Sequence, residues 1–161
     1  MSDPLAIYLH DHLGGANFAV ELLEKWSRDE ESSGLAAWAL RLRGDIERDR
    51  DALVQVVARI GEESRTAKEA AGWFAEKLSR SKLAGQSPEF AHFEGLEILA
   101  LGILGKLSLW QTLELLAPHH PGLAGFDYTE LSRRAQTQHE AVETRRRTCA
   151  RLAFMPAVSE S

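Results

Sequence analysis

The sequence predicts an all-α protein built as a bundle of four long helices, and three observations lead to that fold class. Apolar residues recur at spacings of three and four over four long stretches, which is the period of a helix that packs along one side. Residues that start and stop helices separate those stretches. No stretch shows the apolar–polar alternation of a half-buried strand. With 161 residues, 44% of them hydrophobic and 27% charged, the chain has the size and balance of one globular domain, residues 1–161.

Start and stop residues divide the chain into helical segments. Asp3-Pro4 and Ser87-Pro88 each combine a capping side chain with a proline at the first helical position. Asp127 followed by Glu130 is a variant of the capping box, and Gly61 is typical of the residue that follows a helix. We therefore expect helices at about 4–27, 34–60, 64–83, 88–117 and 127–154.

The helix at 88–117 is apolar nearly all round, so we expect it to be the most buried of the set. Gly102 and Gly105 interrupt it. Each glycine lowers helix stability by about 1 kcal/mol relative to alanine, which favours a structural reason for its presence. We expect another helix to approach closely at these two positions.

Connection lengths predict how the helices are arranged. Short loops join the first two helices and the last two, so each pair is expected to form an antiparallel hairpin. As a helix, the segment 64–83 would reach about 30 Å, which is long enough to run the length of the bundle. The expected fold is two antiparallel helical hairpins with an extra helix in the crossover connection.

Three segments carry a family resemblance that extends over residues 5–154. They are Tyr8-Leu9-His10-Asp11-His12-Leu13-Gly14-Gly15, Glu69-Ala70-Ala71-Gly72-Trp73 and Gly105-Lys106-Leu107-Ser108-Leu109-Trp110. These segments resemble uncharacterised bacterial ferritin-like proteins. The resemblance implies a ferritin-like four-helix bundle and names no activity.

Di-iron members of the ferritin-like superfamily imply a ligand set that this sequence matches only in part. In that set one helix of each pair supplies a glutamate and the other supplies Glu-x-x-His, whose two side chains share a helix face. Here the second helix has Arg48 and Arg50 where a histidine would be needed. The literal Glu-x-x-His, Glu89 with His92, lies in a first helical turn, where the helix dipole explains the glutamate.

A polar pair on the inward faces of the first hairpin is the first candidate site. With the turn placed near residue 30, His12 and Asp49 lie at equal height, so we predict a buried or half-buried contact between them. Under one interpretation Asp49 accepts a hydrogen bond from His12 and fixes the register of the hairpin. Under the other, Asp49 orients the histidine as a metal ligand or general base.

A pair of carboxylates, Glu94 and Glu97, shares one face of the helix at 88–117. Folding the last helix back near residue 122 places Arg147 level with Glu97 and Arg151 near Glu94. One interpretation is therefore a layer of Glu–Arg ion pairs between helices. The other is an iron or manganese site, for which the candidate ligands are His12, Asp49, Glu94, Glu97 and His139.

The remaining histidines and the single cysteine are weaker candidates. We expect His10 in solvent, a turn away from the inward seam, and His119 and His120 in an exposed loop. Cys149 falls on an apolar stripe, so we expect a small core residue rather than a reactive thiol. No cofactor other than a divalent metal is suggested by the sequence.

Charge and hydropathy limit the classes of partner. A net charge of −5 argues against general nucleic-acid binding, which needs excess positive charge. The first residues lack the basic start and apolar core of a signal peptide. The most apolar run, from Ile98 to Gly105, is too short to span a bilayer. We therefore expect a cytoplasmic protein that binds neither nucleic acid nor membrane.

Three functions are left open by the sequence. A second apolar face on the first helix, formed by Ile7, Phe18 and Leu22, predicts a homodimer, and we favour a non-catalytic bundle that acts by association. The alternative is a degenerate ferritin-like protein that binds iron or manganese. A third hypothesis is a pocket for a small apolar ligand between helices. The tryptophans that would line such a pocket are Trp26, Trp38, Trp73 and Trp110.

Overall fold

The computed structural model describes residues 3–29, 33–61, 72, 75–76 and 87–155, and this part of the chain is all-helical. Its four long helices are α1 (Pro4–Ser27), α2 (Ser33–Ile60), α3 (Pro88–Leu116) and α4 (Tyr128–Phe154). Two 3-10 turns, Ala117–His119 and Pro121–Leu123, connect α3 to α4. Each long helix begins and ends within one residue of its expected position. The helix expected at 64–83 lies outside the described residues, apart from Gly72, Ala75 and Glu76, which are helical.

The helix ends are held by the residues that the sequence indicates. The side chain of Asp3 accepts a hydrogen bond from the backbone N–H of Leu5 at 3.0 Å. Ser87 and Asp127 cap α3 and α4 in the same way. Such a cap stabilises a helix by about 1 kcal/mol. Gly61 follows α2 with a φ of +82°, a left-handed conformation that glycine adopts without strain.

Contacts between the helices fix their directions. α1 packs along α2 and α3 packs along α4, and each pair is joined by a short connection, so each pair is an antiparallel hairpin. Between the hairpins, Trp26 near the end of α1 packs on Gly95 near the start of α3. His12, nearer the start of α1, lies beside Gly105, further along α3. Since these contacts run in opposite order along the two helices, α1 and α3 are antiparallel.

The end of α2 and the start of α3 lie at opposite ends of the bundle. Ile60 of α2 packs on Gly122 in the turn that follows α3. The first turns of α3 lie at the other end, where His92 contacts the ring of Trp26 edge-on with centroids 5.9 Å apart. α2 and α3 therefore run in the same direction, and the connection between them joins the two ends of the bundle.

The core lies where all four long helices meet, and α3 supplies much of it. Its buried side chains include Leu96, Leu99, Ile103 and Trp110. By length and composition alone, α3 is the one helix in the described part of the chain that would suffice to cross a membrane. A core helix meets the same two criteria, and in this fold α3 packs against α1 and α4.

Close helix approach occurs at Gly95 rather than at the two glycines predicted for it. A Cβ atom at Gly95 would lie 2.5 Å from the ring of Trp26. At Gly105 it would make ordinary van der Waals contact, 3.8 Å from Cε1 of His12, and at Gly102 it would meet nothing within 4 Å. The expectation was wrong for Gly102, because that position borders open space.

Candidate functional site

Asp49 lies on the buried face of α2, where a carboxylate needs partners to offset its lost hydration. Lys106 of α3 donates a hydrogen bond from Nζ to Oδ2 at 2.7 Å, and Gln138 of α4 donates one from Nε2 to the same oxygen at 2.9 Å. Nη2 of Arg134 lies 2.8 Å from Oδ1. The contact of Arg134 with Oδ1 is an ion pair and not a hydrogen bond, since Oδ1 has no hydrogen-bond partner among the described residues.

Two further hydrogen bonds join these side chains to each other and to α2. Lys106 donates to Oε1 of Gln138, and Arg134 donates to the backbone carbonyl of Asp45 at 3.2 Å. We refer to Asp49, Lys106, Arg134 and Gln138 as the polar cluster. It ties α2 of the first hairpin to both helices of the second.

The polar cluster holds one carboxylate against two cationic side chains. Arg134 contributes a positively charged guanidinium group. Burial is the largest influence on the pKa of Lys106 and lowers it, whereas the charge of Asp49 and the hydrogen bond to it act in the opposite direction. When Lys106 is protonated, the cluster has one positive charge in excess.

A cavity of about 640 Å³ opens beside the polar cluster, between α1, α2 and α3. Apolar side chains from α2 and α3 form most of its walls, and Asp49 and Lys106 are part of its lining. α1 contributes small residues, which leave the space unfilled: Gly15, Ala16 and Ala19. Gly102 of α3 lies at the exposed edge, where a Cβ would also meet nothing.

His12 lies on the α1 wall of the same cavity. Its ring packs edge-on against Tyr8 with centroids 4.7 Å apart. Burial lowers the pKa of His12, and the nearby charge of Asp11 opposes that shift only in part. His12 is therefore a neutral imidazole at pH 7.

No hydrogen bond or ion pair joins His12 to Asp49, so the predicted interaction between the two side chains is not made in that form. Both side chains face inward and line one cavity, as their positions on the helix seams indicate. The hydrogen bonds of Asp49 go to Lys106 and Gln138 instead, and its other oxygen contacts Arg134. Two cations from the second hairpin already offset the buried charge of Asp49, so its burial does not require a contact with a neutral histidine.

The Glu–Arg ion pairs considered between α3 and α4 are not formed, because Arg146 and Arg147 pair with Glu143 of their own helix. Arg146 holds Glu143 through two hydrogen bonds of 2.6 and 3.0 Å, and Arg147 lies 3.8 Å from the same carboxylate. The hydrogen bond to Glu143 is the main cause that raises the pKa of Arg146, and the charge of Glu97 adds to it. Arg146 rather than Arg147 is thus the arginine beside Glu97.

The other predicted metal ligands do not form a cluster with His12 and Asp49 in the described part of the chain. Glu94 is half-buried with Oε2 unbonded to any described residue, and Glu97 is exposed. Glu97 precedes Lys106 by nine residues, or about 13 Å along a helix. His139 is half-buried on α4. Within the described ranges, no three His, Cys, Asp or Glu side chains come together as a metal-binding group.

His10 is buried, with 8% of its surface exposed, so the expectation that it lies in solvent was wrong. Ala6 and Gly14, four residues before and after it, are buried as well, so α1 is covered along this face too. On the face predicted to form a homodimer, Leu22 is 5% exposed and belongs to the core, while Ile7 and Phe18 are half-buried. The homodimer itself stays a prediction.

Cys149 is half-buried and packs against the core, as its position on an apolar stripe predicts. Burial is the main cause that raises the pKa of its thiol, with the charge of Arg145 acting in the opposite direction. A raised pKa means little thiolate at neutral pH and hence a thiol of low reactivity.

Lys106, Arg134 and Gln138 are the site residues that sequence reasoning did not single out. A signal for Lys106 was present. The fold-back near residue 122 that aligns Arg147 with Glu97 also places Lys106 level with Gln138. No comparable alignment relates Arg134 to Asp49, because these residues belong to different hairpins.

No match to this chain is found among models of known protein families, among curated proteins or among solved structures. Function is therefore inferred from the polar cluster and the cavity.

Proposed function

We propose that this chain is a non-catalytic, ferritin-like helical bundle that binds a small, largely apolar molecule between α1, α2 and α3. The observation that carries the proposal is the cavity of about 640 Å³, whose walls are mainly apolar with a few polar groups at one place. Its volume lies within the roughly 300–1,000 Å³ of typical small-molecule sites. The proposal keeps the expected cytoplasmic location, without nucleic-acid or membrane binding.

The helix directions support a ferritin-like topology. α1 and α3 are antiparallel, α2 and α3 are parallel, and the connection after Ile60 joins opposite ends of the bundle. A long crossover of this kind is what distinguishes ferritin-like bundles from bundles with short loops throughout.

The contacts that Asp49 already makes favour a ligand-binding function over catalysis or metal binding. Oδ2 already accepts hydrogen bonds from Lys106 and Gln138, and Oδ1 faces Arg134. A carboxylate held in this way is a poor general base, and the adjacent cations oppose a metal ion at the same oxygens. The iron or manganese alternative, with His12, Asp49, Glu94, Glu97 and His139 as ligands, is therefore the less favoured one. Elemental analysis of protein purified without chelator tests it, and about one equivalent of iron or manganese would establish it.

Binding is tested with N-phenyl-1-naphthylamine, an uncharged probe whose fluorescence rises in apolar sites. We expect the natural protein to bind it, and Ala16→Phe and Gly102→Phe to lose about tenfold in affinity because each side chain would fill part of the cavity. Gly44→Phe on α2 is the matched control, since a Cβ there meets nothing within 4 Å and Gly44 is not part of the lining. Absence of binding by the natural protein, or equal binding by all four proteins, would overturn the proposal.

Self-association is a second candidate, supported by exposed apolar side chains on α3. Leu101 and Leu104 of α3 are 57% and 42% exposed, and Phe18 of the predicted dimer face lines the same cavity as Leu101. We expect sedimentation velocity to show a homodimer at tens of micromolar, with Ile7→Glu shifting it to monomer. A natural protein that sediments as a monomer at every concentration would remove this candidate.

A further inference from the structure

The charges beside the cavity determine which apolar molecule fits it. Resting on the proposed function, we infer that the ligand is an apolar chain ending in a single carboxylate, which lies at Lys106 while the chain lies among the apolar side chains of α1, α2 and α3. A fatty acid has this chemistry.

The balance of buried charge is the first argument. With Lys106 protonated beside Asp49, the polar cluster sets two cations, Lys106 and Arg134, against one carboxylate. Excess charge in a largely buried site is unfavourable, and one further carboxylate would neutralise it. A dianion such as a phosphate monoester would leave the cluster with one excess negative charge. The charge balance therefore favours a ligand with a single negative charge.

The accessible member of the buried pair is the second argument. Lys106 keeps 13% of its side chain exposed, whereas the side chain of Asp49 is 0% exposed. Both residues line the cavity, so an occupant would meet the side chain of Lys106 before that of Asp49. Two of the three N–H bonds of Lys106 are directed at Asp49 and Gln138. Among the described residues no acceptor takes the third, which is the donor that a ligand carboxylate would use.

The remaining polar groups around the cavity are also compatible with a ligand carboxylate. His12 lines the same cavity and lies beside Gly105, one residue before Lys106, and a neutral imidazole has one N–H to donate to an occupant. Asp11 and Arg50 also line the cavity and carry opposite charges. Asp11 is exposed to solvent, which screens its repulsion of an anion. Asp45 lies close to the cluster but forms an ion pair with Arg48.

Isothermal titration calorimetry with three probes of equal chain length tests the inference: dodecanoate, 1-dodecanol and dodecyltrimethylammonium, each below its micelle concentration. We expect dodecanoate to bind at least about tenfold more tightly than dodecanol, since a buried charge-assisted hydrogen bond is worth roughly that factor or more. We expect dodecyltrimethylammonium to bind most weakly. Equal affinities, or a preference for the alcohol or the cation, would overturn the inference but leave the proposed function standing. If none of the three binds, the proposed function itself fails.

Three lysine variants locate the carboxylate. Lys106→Met is expected to keep its affinity for dodecanol and to lose most of the preference for dodecanoate. Lys106→Arg retains the positive charge beside Asp49 and is expected to retain the preference. The matched control is Lys25→Met, an exposed position on α1 outside the cavity lining. A preference that persists in folded Lys106→Met would place the head group elsewhere, and if that variant does not fold, the comparison of the three probes on the natural protein decides.

Discussion

Asp49 is the residue through which the two hairpins are most directly joined, because its partners come from both α3 and α4. Replacing it with alanine would leave Lys106 and Arg134 facing each other without the charge that holds them together. We expect Asp49→Ala to lower the free energy of unfolding by about 3–5 kcal/mol, measured by urea denaturation. Asp51→Ala is the control, since that carboxylate is largely exposed and its removal should change stability by less than about 0.5 kcal/mol.

The same residue allows a test of whether charge or shape is required at this position. A buried ion pair replaced by apolar side chains of similar volume is often neutral for stability. Asp49→Leu combined with Lys106→Met should therefore recover at least half of the loss seen in Asp49→Ala. If the double variant is no more stable than Asp49→Ala, the stability that Arg134 and Gln138 contribute requires the carboxylate of Asp49.

His12 makes the stability of the fold depend on pH in a definite direction. In the unfolded chain it takes up a proton near pH 6.5, and in the folded protein burial lowers its pKa, so it is protonated only at a lower pH. Between these pH values the unfolded state binds more protons, so stability falls as the pH drops below about 6.5. We expect the urea midpoint to fall more between pH 7.5 and 5.5 in the natural protein than in His12→Gln. A loss that is equal in the two proteins would contradict the burial of this ring.

At the scale of single elements, α3 offers two glycines with opposite expected behaviour. Gly95→Ala places a Cβ 2.5 Å from Cζ2 of the buried Trp26 ring, so we expect a loss of about 1–3 kcal/mol. Gly102→Ala meets nothing within 4 Å and improves helix propensity, so we expect a gain of about 0.5–1 kcal/mol. Thermal unfolding of both variants checks the pair. Equal effects would mean that α1 and α3 are not as close at Trp26 as described.

The helices could be predicted from the sequence because their ends are local. Asp3, Ser87 and Gly61 act within a few residues of the backbone groups at the helix ends, so each is recognisable from the sequence. The inward position of Asp49 followed from helical period alone. Its partners could not be derived in this way, because a period gives the face of a helix and not the neighbour that covers it.

What the sequence left undetermined is the placement of one hairpin against the other. In the sequence, Lys106 marks the end of an apolar run. In the structure its side chain lies inward, where it donates a hydrogen bond to a carboxylate 57 residues away. The cavity could not be foreseen either, because small residues such as Ala16 and Gly102 indicate close packing as readily as empty space. Only the positions of both hairpins together distinguish these two outcomes.

For the whole molecule, a ligand that occupies the cavity would add to stability, because it contacts three of the four long helices only when they are assembled. Dodecanoate at about 100 times its dissociation constant should raise the free energy of unfolding by about 2.7 kcal/mol. For a domain of this size that corresponds to an increase in Tm of about 5–11 °C. Differential scanning calorimetry measures it, and Gly102→Phe should show little increase. An equal increase in both proteins would place the ligand outside the cavity.

The half-buried thiol of Cys149 makes it possible to label the cavity selectively with a fluorophore. Because burial raises its pKa, this cysteine reacts slowly with maleimides at neutral pH, and it is the only one in the sequence. A second cysteine introduced by Gly102→Cys would lie at an accessible position and be labelled first. A fluorophore attached there would report, in real time and on the unaltered background of the remaining chain, when the space between the helices fills and empties.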